Sequence, residues 1–507
     1  MLKQIAQKAG TTDRERYLAN LASCQFFSLW SYPGLSRRGK KGVSKELADL
    51  TVIFGDDIVL FSDKDIKWPS HADVRIAWSR WYRAAILESA AQLWGAESYL
   101  RGSGAALFLD DRCENPFPLP VISSQTRIHL VAVASNSIEP ATSYFCDIGG
   151  PGSSGTLMHA FDKESNEGRH PFVVGDLNEK KTFVHVFDAE TLDRVLSELG
   201  TISDFVHYLS EKVAAIRSGK LALYAGEEEL LAFYLQEQID SGYGSLPFAH
   251  RPFLPGRLLN IPEGEWGAYT KSEAYRVRAE LRERAQDWFD LLEPFTNAVI
   301  SADVGIEARE TPLEMHEAVL RVAASENLVS RARLASAFEG KRLSIPAGVR
   351  SSRVINSICS PGRLYVFVFV PWIKDSASYD EYRKFRLEMM QAYALVAPIK
   401  FIGVQEVVIV GAQTPDDSGT RSEAMICVRY EEPLSEQQMA DAYKLMEDEQ
   451  VLADVPVQSL RLALLPGPRG RRYGRNDPCP CGSLKKNKKC CNISGPRYST
   501  IYTARSG

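Results

Sequence analysis

A cluster of four cysteines near the end of the chain constrains its fold more than any other feature of the sequence. The four fall within 13 residues in the pattern Cys-x-Cys, eight residues, Cys-Cys, and they are Cys479, Cys481, Cys490 and Cys491. Residues 1–10 are polar and lack the apolar core of an export signal, so we expect a cytoplasmic protein, in which clustered thiols favour metal binding over disulfides. Because no histidine follows His316, a tetrahedral zinc site here is expected to be all thiolate.

Charge is distributed unevenly along the chain, whose formal net charge is −4. Residues 466–507 contain ten Lys or Arg and one acid, Asp477, so they carry +9 and the residues before them carry −13. The acidic body therefore argues against a general polyanion-binding surface, whereas the basic tail allows one. Eight of these cations surround the cysteines, where they would offset the negative charge of a four-thiolate zinc site and favour the thiolate form.

The segment 474–495 resembles the SEC-C motif, the zinc-binding tail of the bacterial preprotein translocase ATPase. The resemblance rests on the cysteines, on the leading Gly-Arg-Asn-Asp-Pro and on the Lys-Lys pairs that begin at Lys485 and Lys488, while Leu484 stands where the family usually has glycine. It implies a structural zinc knuckle, which in the translocase contacts a chaperone and the ribosome. A disordered basic tail with incidental cysteines and a catalytic zinc site are the alternatives. The Gly-x-x-x-x-Gly-Lys-Ser/Thr phosphate loop is missing from the sequence, so the ATPase motor is not supported.

Hydrophobic periodicity predicts an α+β multidomain chain that begins with an α/β domain, residues 1–215. Its first helix is predicted near Asp13–Leu29, and a β-hairpin is predicted to turn at Gly55-Asp56. The other elements predicted for this domain are strands Leu50–Phe54, Ile58–Lys64, Arg127–Ala134 and Thr182–Phe187, and helices Val74–Leu100, Ala189–Leu199 and Ile202–Ile216. A stripe of apolar side chains along the helix Val74–Leu100, including Trp78 and Ala85, is expected to pack on the sheet.

The rest of the chain is predicted to form a mainly helical domain, residues 216–345, and a small α+β domain, residues 346–465. Its clearest predicted helices are Glu227–Gln238, Lys271–Leu292, Leu313–Ala324, Tyr379–Ala394 and Ser435–Asp448, and its predicted strands are Leu364–Val370, Val404–Val410 and Ala424–Tyr430. Pro466-Gly467-Pro468 opens a basic linker, residues 466–473, that leads to the zinc motif. No apolar run approaches the roughly 20 residues needed to span a bilayer, so no membrane association is expected.

A second group of residues lies near the N-terminus, in the pattern Glu46-x-x-Asp49, twelve residues, Ser62-x-Lys64. If the hairpin turns at Gly55-Asp56, Asp49 faces Ser62, and Lys64 points to the same side because side chains alternate along a strand. Glu46 is expected one helical turn before Asp49. Two carboxylates and a lysine would then meet at one end of the sheet, although a simple cross-strand ion pair is the alternative.

This pattern resembles the PD-(D/E)xK nuclease core, also called the restriction-endonuclease-like fold, which consists of a helix, a β-meander, a helix and a further strand. The resemblance implies that Asp49 binds Mg²⁺ or Mn²⁺, that Glu46 is a supporting ligand and that Lys64 orients the attacking water. Ser62 occupies the position of the family's second acid, so it would have to ligate through its hydroxyl or a water. Asp63 is expected to point to the other face.

Two functions from different classes follow from these observations. The first is metal-dependent cleavage of nucleic acid by Glu46, Asp49, Ser62 and Lys64, with structural zinc held at the C-terminus. The second is a non-catalytic adaptor whose zinc knuckle binds the ribosome, RNA or a chaperone. The substrate, the oligomeric state and the role of residues 216–465 do not follow from the sequence.

Overall fold

The structure is a computed structural model. It describes residues 2–39, 43–149, 154–236, 241–246, 258–305, 308, 310–372, 377–414 and 422–459. The predicted linker 466–473 and the predicted zinc motif 474–495 lie outside the described residues. Within them the chain is a mixed α/β, multidomain fold with several sheets.

The described residues contain strands that form several sheets. In chain order they are β1 Ser31–Pro33, β2 Ser36–Arg38, β3 Ser44–Glu46, β4 Leu50–Phe54, β5 Asp57–Lys64, β6 Leu107–Phe108, β7 Arg127–Ala134, β8 Met158–Ala160, β9 Val173–Val174, β10 Val184–Asp188, β11 Leu221–Tyr224, β12 Leu259–Ile261, β13 Ser351–Asn356, β14 Arg363–Val370, β15 Phe401–Ile402, β16 Glu406–Gln413, β17 Glu423–Arg429 and β18 Gln458–Ser459.

The helices cover the sheets. In chain order they are α1 Asp13–Phe26, α2 Val74–Tyr82, α3 Glu88–Leu100, α4 Ile138–Gly149, α5 Lys163–Asn166, α6 Ala189–Leu199, α7 Ile202–Arg217, α8 Glu227–Gln236, α9 Glu265–Tyr269, α10 Glu273–Ser301, α11 Leu313–Ala324, α12 Leu328–Arg342, α13 Tyr379–Lys400 and α14 Glu436–Asp448. No helix in the described ranges is both long enough and apolar enough to cross a membrane.

The first sheet has the strand order β1-β4-β5-β7-β10. Strands β1, β4 and β5 form an antiparallel meander, whereas β5, β7 and β10 run parallel. The predicted turn at Gly55-Asp56 is confirmed, because Phe54 pairs with Asp57 across it and Gly55 adopts a φ of 61°. The parallel connection from β5 to β7 passes through α2 and α3, as a parallel pair requires a long crossover.

The predicted helix Val74–Leu100 is continuous but changes pitch. A π turn at Arg83–Leu87 joins α2 to α3. The apolar stripe predicted along it is buried, with Trp78 at 1% and Ala85 at 0% exposure. Trp78 Nε1 donates to the Gly168 carbonyl at 2.9 Å, so this face is fixed by a polar contact as well as by packing.

A second sheet, β12-β11-β8-β9, contains strands from both sides of residue 215. A buried ion pair lies beside this sheet: Lys212 Nζ donates to Glu227 Oε2 at 2.6 Å. The Tyr208 hydroxyl donates to the other oxygen, Glu227 Oε1, at 2.6 Å. Both charged side chains are almost completely buried, at 0% and 1% exposure. The predicted helical region therefore also contributes two strands, β11 and β12, that the sequence did not reveal.

In the third sheet, β13-β14-β16-β17, alternate side chains of one strand pack into two different hydrophobic cores. Tyr365, Phe367 and Phe369 of β14 join the main core, where Phe367 packs edge-on against Phe338 of α12. The intervening residues of β14, beginning with Leu364, pack instead with α13 in a separate cluster. The main core includes buried side chains from Ile5 to Ala412 in the sequence, and they come from the first sheet, the helices and the third sheet.

Candidate functional site

The β4–β5 hairpin brings Asp49 to the end of β5. Leu50 pairs with Phe61, which is the register predicted from the turn. Asp49 precedes Leu50, and its Oδ2 accepts a hydrogen bond of 2.6 Å from the backbone N–H of Asp63. The carboxylate is thus held by a backbone donor at the end of the hairpin.

Burial is the main reason why the pKa of Asp49 is raised above its usual range. The Asp63 N–H and the positive charge of Lys64 oppose this shift, and the carboxylates of Asp63 and Glu15 add to it. Lys64 therefore lies within electrostatic range of Asp49, although no ion pair joins Lys64 to an acid in the described part of the chain. The cross-strand ion pair considered as an alternative is not formed.

Glu46 also lies in the field of Asp49, but it belongs to a different element from the one predicted. It is the last residue of β3, in a small sheet β3-β2-β6, and so is not one helical turn before Asp49. Its side chain keeps solvent access, yet desolvation by its neighbours raises its pKa to about 7, and the charges of Asp49 and Glu15 act in the same direction. The charge of Asp49 therefore disfavours the ionised form of Glu46.

Ser62 is completely buried, with 0% exposure. Its Oγ has no hydrogen-bond partner among the described residues. A hydroxyl in this position is cut off from solvent and brings no negative charge to the site. Ser62 therefore does not offer an accessible oxygen at the position where the predicted pattern has its second acid.

Asp63 is engaged elsewhere, as its predicted orientation requires. Arg14 of α1 binds it through two bonds, Nη2 to Oδ1 at 2.8 Å and Nε to Oδ2 at 3.2 Å. The Asp63 side chain is 7% exposed and lines a groove with Leu18 and Leu192. The paired arginine offsets its charge, so Asp63 serves to attach α1 to the sheet.

Two further charged residues belong to this region and were not found from the sequence. Glu15 of α1 raises the pKa of Glu46, Asp49 and Asp63, which places a further negative charge near the pair. Its Oε2 accepts from the Thr11 N–H at 2.6 Å, and Thr12 completes a capping box with it. The Thr-x-x-Glu pattern at Thr12 was a visible helix-start signal, but nothing in it indicates proximity to Asp49.

Lys8 supplies a cation from the N-terminal segment. Its Nζ donates to the Gly34 carbonyl at 2.6 Å and to Asp111 Oδ1 at 2.5 Å. Its charge lowers the pKa of Glu46 and so opposes the acids around it. Because Lys8 is separated from Glu46 by a long stretch of sequence, spacing rules could not associate the two.

In the part of the chain that the structure describes, the carboxylates at this end of the hairpin are too few to enclose a metal ion. Among the described residues, no group of three or more His, Cys, Asp or Glu side chains is placed to hold a metal. Mg²⁺ commonly keeps several waters and uses one or two carboxylates together with substrate phosphates. Glu46 and Asp49 are two carboxylates of that kind, and a divalent cation bound to them would lower their pKa values, which burial raises most.

The predicted zinc ligands, Cys479, Cys481, Cys490 and Cys491, lie outside the described residues. The five other cysteines are free thiols, and they are Cys24, Cys113, Cys146, Cys359 and Cys427.

Comparisons with known proteins bear on a short part of the chain. The chain is 75% identical over 24 residues to the protein translocase subunit SecA of Heliobacterium modesticaldum, which is 5% of this chain and 3% of that protein. It is 55% identical over 40 residues to SecA of Dehalococcoides mccartyi, or 8% of this chain and 4% of that one. A 72-residue match to SecA of Syntrophus aciditrophicus, 38% identical, covers 14% of this chain and 8% of the relative.

The chain thus spans less than a tenth of the length of these relatives. No protein-family model and no solved structure matches it. These short similarities support a SecA-like SEC-C motif in the chain.

Proposed function

We propose that the N-terminal α/β unit is a nuclease-like phosphodiesterase, dependent on Mg²⁺ or Mn²⁺, that acts on nucleic acid. The observation that carries this proposal is the position of Asp49 at one end of the β4–β5 hairpin, where the charge of Lys64 acts on Asp49 and the charge of Asp49 acts on Glu46. The order of elements, a helix, a meander, a crossover helix and a parallel strand, is the order expected for the PD-(D/E)xK core.

Each residue has a distinct part in the proposed reaction. Asp49 and Glu46 would hold the divalent ion, which supplies charge neutralisation of the phosphate and a more acidic water. Asp49 is held in place by the Asp63 N–H, so it is oriented before substrate binds. Lys64 would orient the attacking water.

In this proposal Ser62 is a buried, neutral residue that does not bind the metal. Because it replaces an acid, the metal depends on Glu46 and Asp49, with Glu15 adding negative charge from α1. A cluster with this much negative charge binds a polyanion only after a cation has neutralised part of it. We therefore expect activity to require millimolar divalent metal.

The proposal is tested by incubating the purified full-length protein with supercoiled plasmid, single-stranded DNA and structured RNA. We expect cleavage of at least one substrate with Mg²⁺ or Mn²⁺ and none with EDTA. Failure to cleave all three with either metal would contradict it.

We further propose that residues 474–495 form a structural zinc knuckle with Cys479, Cys481, Cys490 and Cys491 as ligands. The short similarity to SecA supports this assignment. Purified protein should contain stoichiometric zinc by elemental analysis, because four thiolates bind Zn²⁺ tightly. The double substitution Cys490→Ser/Cys491→Ser should remove it, whereas Cys24→Ser, which changes an exposed free cysteine, should not. Zinc-free wild-type protein would contradict the assignment.

A second candidate function, a non-catalytic adaptor, is favoured by the same similarity to SecA. In that case the knuckle binds a ribosome, RNA or a chaperone, and the rest of the chain acts as a scaffold. A truncated chain ending at Leu465 distinguishes the two. Loss of ribosome co-sedimentation without any metal-dependent cleavage in either form supports the adaptor, whereas cleavage retained by the truncated chain supports the nuclease.

A further inference from the structure

A groove lies between α10, α12 and β13. Its volume is about 420 Å³. Its apolar lining residues, called the floor here, are Leu281, Val329, Ala332 and Ile355. Three arginines also line it and are called the rim: Arg284, Arg333 and Arg353. A cavity of this size with an apolar floor and few polar groups is typical of a binding site.

The three arginines are not neutralised by the protein. Within the described residues, none of Arg284, Arg333 and Arg353 makes an ion pair or a side-chain hydrogen bond, and no Asp or Glu lines the groove. Burial and the nearby charge of Arg353 lower the pKa of Arg333. Like charges held together in this way leave a positive potential that an anionic ligand would satisfy.

The groove runs beside an open edge of a sheet. In the described part of the chain β13 pairs only with β14, through the register Ser351 to Phe369, so the other edge of β13 has unpaired backbone groups. Arg353 and Ile355 are two residues apart on β13, and both line the groove. An extended peptide could therefore pair with the backbone of β13 while its side chains enter the groove.

We propose that this groove binds an acidic peptide segment of a partner protein, extended along β13. Carboxylates of the peptide would pair with the three arginines, and its apolar side chains would cover Leu281 and Ile355. The apolar floor disfavours a nucleic-acid backbone, whose phosphates need polar contacts along their whole length. The chain's own residues 466–507 do not fit, because with ten basic residues and one acid they carry the same sign of charge as the groove.

Fluorescence polarisation of a fluorescein-labelled decapeptide of alternating aspartate and valine tests this proposal on the full-length protein. We expect saturable binding that weakens with salt, and no binding of the matched lysine–valine peptide. The triple substitution Arg284→Gln/Arg333→Gln/Arg353→Gln should weaken binding by about tenfold, since three partly exposed charge pairs are lost. The matched control is Arg75→Gln/Arg80→Gln/Arg83→Gln, three exposed arginines near α2, which should bind the peptide as the parent does.

Three results would overturn the proposal. The first is equal peptide binding by the groove variant and the parent, with both folded by circular dichroism. The second is a labelled oligonucleotide that binds through the same three arginines and displaces the peptide. The third is a parent that is dimeric by light scattering and becomes monomeric in the groove variant, which would assign the groove to a second copy of the chain.

Discussion

Asparagine in place of Asp49 should reduce metal-dependent cleavage by at least about two orders of magnitude, because charge stabilisation at the phosphate is usually the largest catalytic contribution. Asp49→Asn keeps the size of the side chain and an oxygen that can still accept from the Asp63 N–H. The substitution therefore removes charge with little change in packing. Initial rates at saturating Mg²⁺, measured with the best substrate of the parent, give the effect.

The matched control for this experiment is Asp56→Asn. Asp56 is exposed at the turn of the same hairpin, at the end away from the site, and accepts a hydrogen bond from Ser123. A second pair, Lys64→Ala and Lys67→Ala, separates the half-buried lysine of the site from an exposed lysine just beyond the strand. Cleavage that survives both Asp49→Asn and Lys64→Ala would show that the activity, if present, lies elsewhere.

The part of this site that follows from the sequence is the part determined by local geometry. A two-residue turn at Gly55-Asp56 fixes the register of the hairpin, and the register fixes which residues lie beside Asp49. The strand β7 also has the bounds that its apolar pattern predicts, Arg127–Ala134, since it is buried along nearly its whole length. Short-range pairing and continuous burial both leave a periodic pattern in the sequence.

The charges around Asp49 could not be predicted in the same way. Lys8 and Glu15 reach this region only because the N-terminal segment and α1 pack against the hairpin, and Glu46 reaches it from a separate small sheet. The strand β13 was missed for a related reason. Its sequence, Ser-Ser-Arg-Val-Ile-Asn, is largely polar, because as an edge strand it is only half-buried.

Helix α8 shows most clearly where sequence patterns fail. Its first three residues, Glu227, Glu228 and Glu229, have the composition of a solvated face, yet their exposures are 1%, 1% and 4%. Each acid has its own partner: Glu227 binds Lys212, Glu228 accepts from Thr156 at 2.9 Å, and Glu229 accepts from the N–H groups at the start of α9. Burial of three consecutive carboxylates depends on partners that are far apart in the sequence.

Removal of Lys212 should destabilise the fold by about 3–5 kcal/mol, because the buried carboxylate of Glu227 loses the lysine that neutralises it. Lys212 Nζ is 2.6 Å from Glu227 Oε2 and lies over the ring of Phe187 at 4.9 Å. Lys212→Met keeps most of the aliphatic volume, so the loss is mainly electrostatic. The free energy of unfolding from urea denaturation measures it, with Lys384→Met, at an exposed position of α13, as the control.

The double substitution Lys212→Met/Glu227→Gln separates the cost of an unpaired charge from the cost of altered packing. A neutral amide at position 227 can still accept from the Tyr208 hydroxyl, and both charges of the Lys212–Glu227 pair are removed. We therefore expect the double variant to be more stable than Lys212→Met alone, since neutral replacements of a buried ion pair often cost little. The contrary result is additivity, in which the loss of unfolding free energy in the double variant equals the sum of the losses in Lys212→Met and Glu227→Gln. The two residues would then act independently, and the buried pair would not be the source of the destabilisation.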